Sequence, residues 1–210
     1  MQKIKAIIFD LDGTLIDSVT DLANSVNYTL AAIGLPVHTM EEIKGFVGDG
    51  VQKLIKRSLG QTHLEKFEEA FAVFMQHYDL HCTDNTVLYP GVASILPELA
   101  TTYDLAVLTN KSRKFSVKIL ANLGIYQHFK EVLGGDSLPS KKPDPAGIFY
   151  LAEQWNLTPD QIIMVGDHAT DIEVGQRAGC KTVFINGGIG ETRGLTPDMS
   201  INDITKQYKN

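Results

Sequence analysis

The sequence predicts an α/β fold: a Rossmann-like parallel sheet core with an all-helical segment inserted after its first strand. Three observations carry this expectation. A β-branched and aromatic run, Ala6-Ile7-Ile8-Phe9, stands near the start and reads as a buried parallel strand. Residues 17 to 82 then hold to helical spacing, with apolar stripes of their own. Beyond Pro90-Gly91, short apolar runs alternate with helical patterns, as in βαβ units joined by right-handed crossovers.

In chain order, the first strand breaks at Asp10, where the pattern turns polar, and Gly13 marks a tight loop. From Ser18 the residues Val19, Leu22, Ala23, Val26, Leu30 and Ile33 follow a helical period that Gly34 and Pro36 stop. Thr39 and Glu42 form a candidate capping box before Ile43 and Phe46. Val51, Leu54, Ile55 and Leu59 make the next stripe, ended by Gly60, and Leu64, Phe67, Phe71, Phe74, Met75 and Tyr78 predict one long amphipathic helix. The predicted division is therefore residues 1–16 with 83–210 as the α/β core and 17–82 as the helical insertion. In the second part, Leu105-Ala106-Val107-Leu108, Val132-Leu133, Ile162-Ile163-Met164-Val165 and Thr182-Val183-Phe184-Ile185 are the strand candidates. Val117, Leu120 and Leu123, closed by Gly124, give one of the intervening helices. The last fifteen or so residues are weakly patterned and fit either a short strand or a loose tail.

Composition narrows the partners. The 210 residues are 43% hydrophobic and 21% charged, ordinary for a globular protein. A net charge of −6 argues against nucleic acid, which a basic surplus must neutralise, so any bound phosphate is met by a few placed cations. Cys82 and Cys180 fit no metal spacing and are read as reduced packing residues. No signal peptide or membrane-length apolar stretch is visible, and a cytoplasmic location is expected.

In open parallel sheets, ligands gather beyond the carboxyl ends of the strands. The first strand is followed by Asp10-Leu11-Asp12-Gly13-Thr14, the one ending at Leu108 by Thr109-Asn110-Lys111, the third by a loop with Lys141-Lys142-Pro143, and the one ending at Val165 by Gly166-Asp167 and then Asp171. These endings are complementary. Asp10, Asp12, Asp167 and Asp171 bring together negative charges that repel one another unless compensated, and a hard divalent cation beside phosphate, Mg²⁺ by preference, removes the conflict. Thr109, Asn110 and Lys142 are donors suited to phosphate oxygens, and a cation on each side is the clamp that phosphoryl transfer requires. Side chains two apart on an extended segment share a side. Asp10 is thus placed to attack phosphorus while Asp12 protonates the leaving oxygen and later deprotonates water. Each element alone has a plain reading as a turn or strand end; their joint order is the signal.

These four ordered elements resemble the motifs of the haloacid dehalogenase-like hydrolase superfamily over essentially the whole chain. The resemblance implies that the helical insertion is a cap closing over the site. It implies Asp10 as nucleophile, Asp12 as general acid and base, and Lys142 with Thr109 and Asn110 on the phosphate, along with backbone amides after Asp10. It also implies Mg²⁺ held by Asp10, the Asp12 carbonyl and Asp167, with Asp171 in or just outside that shell. The dehalogenases themselves lack the second acid, so Asp12 points to phosphate chemistry. A closer similarity is to the bacterial phosphoglycolate phosphatases, through Leu88-Tyr89-Pro90-Gly91-Val92, Gly134-Gly135-Asp136-Ser137-Leu138-Pro139, Lys142-Pro143-Asp144-Pro145 and Val47-Gly48-Asp49-Gly50-Val51. It implies 2-phosphoglycolate as substrate.

His168 departs from the small Ser or Thr more usual in the fourth motif; it adjusts the metal's outer shell, caps the following helix, or is inert. Asp17-Ser18 reads as an N-cap or as a hinge. By the resemblance, Gly48 and Gly50 face the substrate. Lys53 and Arg57 share a helical face, either solvated or meeting a substrate carboxylate, and Lys111 either meets that carboxylate or stabilises the site's charge. His38, His63, His77, His81 and His128 are assigned no chemistry. The predicted activity is hydrolysis of a small phosphorylated metabolite. The rivals are a sugar phosphomutase of the β-phosphoglucomutase kind, a pyrophosphatase, and a catalytically silent phosphate-binding protein.

Overall fold

The computed structural model describes residues 3–205. Strand β1 (Ala6–Phe9) leads through a two-residue strand β2 (Ile16–Asp17) into helices α1 (Val19–Ala32), α2 (Met40–Lys44), α3 (Val51–Leu59) and α4 (Phe67–His81). The chain returns through β3 (Val87–Leu88) to α5 (Val92–Ala100), β4 (Asp104–Leu108), α6 (Arg113–Asn122), β5 (Glu131–Leu133) and α7 (Ala146–Gln154). It ends in β6 (Ile162–Gly166), α8 (Ala169–Ala178), β7 (Lys181–Ile185) and β8 (Met199–Ile201). Six strands form one sheet in the order β5-β4-β1-β6-β7-β8, with every neighbouring pair parallel.

The short apolar runs make this sheet because each strand is covered on both faces. Ile7 and Phe9 join a hydrophobic cluster with α1, α3, α4, α5 and α6, whereas Ala6 and Ile8 point to the other face and pack with residues of α7 and α8. The first cluster is continuous from the sheet into the helical insertion, through Leu22, Leu54, Phe74 and Tyr78 to Phe115.

The capping box at Thr39 and Glu42 forms. The long helix starts later than its apolar period suggests: Gln61–Lys66 is a 3₁₀ segment in which His63 (φ −129°) breaks the helical path, and α4 begins at Phe67. The weakly patterned tail contributes β8, paired with β7, up to Ile201; residues 206–210 lie outside the described residues. Two elements carry no sequence signal. The antiparallel ribbon β2-β3 pairs Ile16 with Leu88 and Asp17 with Val87, joining the chain's exit from the core to its return. Beside it, buried Asp21 accepts hydrogen bonds from the Asn85 and Thr86 amides, the Asn85 side chain and the Thr86 hydroxyl.

Candidate active site

β1 lies in the middle of the sheet between β4 and β6, so the residues after these three strands meet at one carboxyl-end edge. Asp10 follows β1, Thr109-Asn110-Lys111 follows β4, and Asp167 follows β6; Lys142 arrives from the loop before α7. All six of these residues are buried. Oxygens of Asp10, Asp167 and Asp171 all fall within 4.8 Å of one another.

The Lys142 ammonium bridges two of these acids, 2.9 Å from Asp10 and 2.6 Å from Asp171. Burial alone would lower the ammonium's pKa, but Asp10 and Asp171 more than offset it and hold it above the ordinary lysine range. Burial pushes Asp10 up to about 6, against the pull of Lys142, and burial with the neighbouring Asp10 charge pushes Asp167 up to about 6 as well. Burial raises Asp171 too. Asp167 is fixed from the far side: Thr14 donates to one oxygen at 2.9 Å, and the Ile189 and Gly190 amides donate to the other at 2.7 and 2.9 Å. Gly13 allows this approach. Its φ is +86°, and a Cβ there would come within 2.1 Å of Asp167 Oδ2.

Three clustered hard carboxylates with one lysine between them are under-compensated, which is the donor chemistry a magnesium ion suits. The Asp12 side chain is not in that cluster. It turns toward β4, where Lys111 Nζ donates to both its oxygens at 2.9 and 3.0 Å and Ser18 Oγ donates to Oδ1 at 2.5 Å. Of the two readings of Lys111, the structure favours charge stabilisation: burial opposes its charge, yet Asp12 keeps its pKa above the ordinary range. Ser18, at the N-cap of α1, makes no side-chain capping bond; Asp17 accepts from the Val19 amide instead.

Several expected phosphate donors are engaged elsewhere in this conformation. Asn110 Nδ2 donates to the Gly48 and Lys142 carbonyls, both at 3.2 Å. The Leu11 amide donates to Asp10 itself at 2.7 Å, whereas Thr109 Oγ1 accepts from the Lys111 amide and keeps its own proton to donate. The Asn110–Gly48 bond reflects the position of the Gly48–Gly50 loop on the core, where Lys141 Nζ donates to the Asp49 carbonyl at 2.8 Å and an added Cβ on Gly48 would meet the His168 ring at 3.0 Å. Lys53 keeps the solvated position and Arg57 is half-buried. Both pair with Asp49, Arg57 at 2.5 Å and Lys53 at 3.4 Å, and Arg57 also donates to the Phe46 carbonyl. Asp49 and Lys141 were not singled out in the sequence, although Asp49 stands four residues before Lys53, a spacing that pairs opposite charges. His168 takes the capping role: its ring accepts from the Thr170 amide, and its own amide donates to Asp171 at 3.0 Å.

Asp10, Asp12, Gly48, Gly50, Thr109, Asn110 and Lys111 line one cavity between α3, α4 and the sheet edge. Its volume is about 50 Å³, small beside the roughly 300–1,000 Å³ of drug-sized sites. The arrangement offers a buried carboxylate, a second carboxylate two residues on, and a buried lysine between acids.

Known proteins resemble this chain. The chain is similar to the phosphoglycolate phosphatase of Chromobacterium violaceum, 37% identical with 99% of this chain and 96% of that protein covered. It is 40% identical to the phosphoglycolate phosphatase of Psychrobacter arcticus, over 95% and 92% of the two chains. A crystal structure of a predicted phosphoglycolate phosphatase from Haemophilus somnus superposes with a TM-score of 0.87 at 36% identity, covering 97% and 96%. A haloacid dehalogenase-like family hydrolase from Streptococcus pneumoniae does so at 0.86 and 28%, also covering 97% and 96%. Residues 7–185 match the family model described as haloacid dehalogenase-like hydrolase, and the chain belongs to that family of hydrolases.

Proposed function

We propose that this protein is a Mg²⁺-dependent phosphatase of small phosphomonoesters, and that it converts 2-phosphoglycolate to glycolate and phosphate. The observation that carries the reading is the division of labour between two neighbouring acids. Asp10 is buried against Lys142, and Asp12 is held to one side by Lys111 and Ser18. Asp10 attacks phosphorus, forming an aspartyl-phosphate, while the ester oxygen departs with the Asp12 proton. Asp12 then takes a proton from water as that water attacks the phosphorus, and phosphate leaves with Asp10 restored. Lys142 keeps Asp10 ionised and faces the phosphoryl oxygens, with Thr109 and Asn110 beside them once the Gly48 loop lifts. Asp10, the Asp12 carbonyl and Asp167, together with Asp171, would hold Mg²⁺, which would supply the positive charge that lets two anions approach.

On this reading residues 17–82 form a cap over a core of residues 1–16 and 83–210, and the protein works in the cytoplasm. Its partner is a small phosphorylated metabolite. The test is phosphate release from 2-phosphoglycolate, sugar phosphates, nucleotides and pyrophosphate, with Mg²⁺ and with EDTA. Magnesium-dependent release from 2-phosphoglycolate above the rest is expected, and no release from any of them would end the proposal. Asp10→Asn should abolish turnover; full activity in that variant would remove Asp10 as nucleophile.

A further inference from the structure

Among the described residues, three buried side-chain polar atoms have no hydrogen-bond partner: Tyr78 Oη, Asn110 Oδ1 and Ser112 Oγ. All three residues line the cavity that holds Asp10 and Asp12. Unmade bonds at buried polar atoms are unfavourable and uncommon, and their concentration in one cavity points to a ligand that completes them. Their chemistry describes that ligand. Tyr78 is 1% exposed, its ring stacked on Phe74 (5.3 Å, 19°) and edge-on to Phe115 (5.0 Å, 81°), so its hydroxyl is fixed in place. Ser112 is the N-cap residue of α6 but makes no side-chain capping bond, which leaves its hydroxyl to donate into the cavity.

The surroundings carry both signs: Asp10 and Asp12 line the cavity, and Lys111 is already paired with Asp12. Lys111 Nζ lies 5.0 Å from the centroid of the Tyr78 ring, and the positive end of the α6 dipole stands at Ser112. Two hydroxyl donors at that helix start match a carboxylate, whose oxygens only accept. Asn110 Oδ1 is itself an acceptor and would not serve an anion. Leu22, Val51, Leu54, Phe74 and Phe115 complete the lining, so the carboxylate must sit on a short chain.

We propose that Tyr78 and Ser112 form a carboxylate-recognition subsite, selecting short phosphorylated carboxylic acids whose phosphoryl group faces Asp10. The inference rests on the phosphatase reading above. Its test compares 2-phosphoglycolate with ethyl phosphate, an ester of similar size without the carboxylate, in the wild-type protein, Tyr78→Phe and Ser112→Ala. In each variant the ratio of kcat/KM for 2-phosphoglycolate to that for ethyl phosphate should fall about 10-fold or more, mainly through KM, the order expected for one hydrogen bond to a charged group. Ser112→Ala should not lose thermal stability, since that hydroxyl has no partner within the chain to lose, whereas Tyr78→Phe gives up only the contact with Lys111; a purely structural tyrosine would lower Tm and leave the ratio unmoved. An unchanged ratio in both variants overturns the subsite. A wild-type protein that hydrolyses ethyl phosphate as readily as 2-phosphoglycolate also overturns it while the phosphatase reading stands. A wild-type protein inert toward both esters with Mg²⁺ overturns the phosphatase reading itself, and the subsite with it.

Discussion

Replacing Lys142 by methionine removes the ammonium and keeps most of the side chain's volume, which isolates its charge. Two buried carboxylates, Asp10 at 2.9 Å and Asp171 at 2.6 Å, then lose their cation. Breaking a buried pair from one side costs about 3–5 kcal/mol, and for a chain of this length each kcal/mol moves Tm by about 2–4 °C. The expected fall in EDTA at pH 8 is thus about 6–20 °C. A proton can replace the missing cation. Asp10 already titrates at about 6 and moves higher without Lys142, so each pH unit below that new value returns about 1.4 kcal/mol per carboxylate protonated. The defect should shrink markedly between pH 8 and pH 5. Thermal unfolding of both proteins across that range measures it, and phosphatase activity with Mg²⁺ should fall about 10²–10³-fold, as when a placed electrostatic group is removed. A small Tm loss that does not change with pH would refute Lys142 as the compensating charge.

Four further outcomes follow from the structure. Asp10 is raised from 3.8 to about 6, so the folded state holds its proton more tightly. That contribution is complete below about pH 4 and disappears as pH rises through about 6; relative to wild type in EDTA, Asp10→Asn should match at pH 4 and gain up to about 3 kcal/mol above pH 6 by denaturant titration. Because Asp167 titrates in the same window, the Tm gain on adding MgCl₂ should appear only as pH climbs through about 6. Gly13→Ala places a Cβ within 2.1 Å of Asp167 and should remove that magnesium-induced gain and about 10²-fold of the activity. Asp21→Ala strands the donors of Asn85 and Thr86 and should lower stability by about 3 kcal/mol in denaturant titration.

Legibility tracked how far each residue's meaning depended on its neighbours in sequence. β1, β4, β6 and β7 are unbroken apolar runs because helices cover both sheet faces, and each is followed by a polar residue that cannot continue the strand, so strands and site were readable together. β2 and β3 are two residues each, too short for any period, and their pairing spans the whole insertion. Gln61–Lys66 keeps a helical apolar spacing although its backbone is 3₁₀, because the two helix types bring nearly the same residues to one side. Asp21 reads as an acid in a helix's first turn and Tyr78 as one more apolar position in α4; only the fold reveals that the first anchors a distant loop and the second leaves a hydroxyl without a partner. Lys53 and Arg57 read as a solvated face because Asp49, their counter-charge, belongs to the preceding loop.

The two-residue ribbon has an architectural consequence. It brings Ile16 and Leu88 side by side, so everything between them is a detour that starts and finishes at one point on the sheet's rim. A short turn from Ile16 to Leu88 would leave every strand of the six-membered sheet in register, and a different excursion of any length could be grafted at the same junction. The transplant has one boundary condition. Phe115 and its neighbours on α6 now rest against Phe74 and Tyr78, and a replacement module must bring an oily face of its own to cover them or the trimmed protein will self-associate.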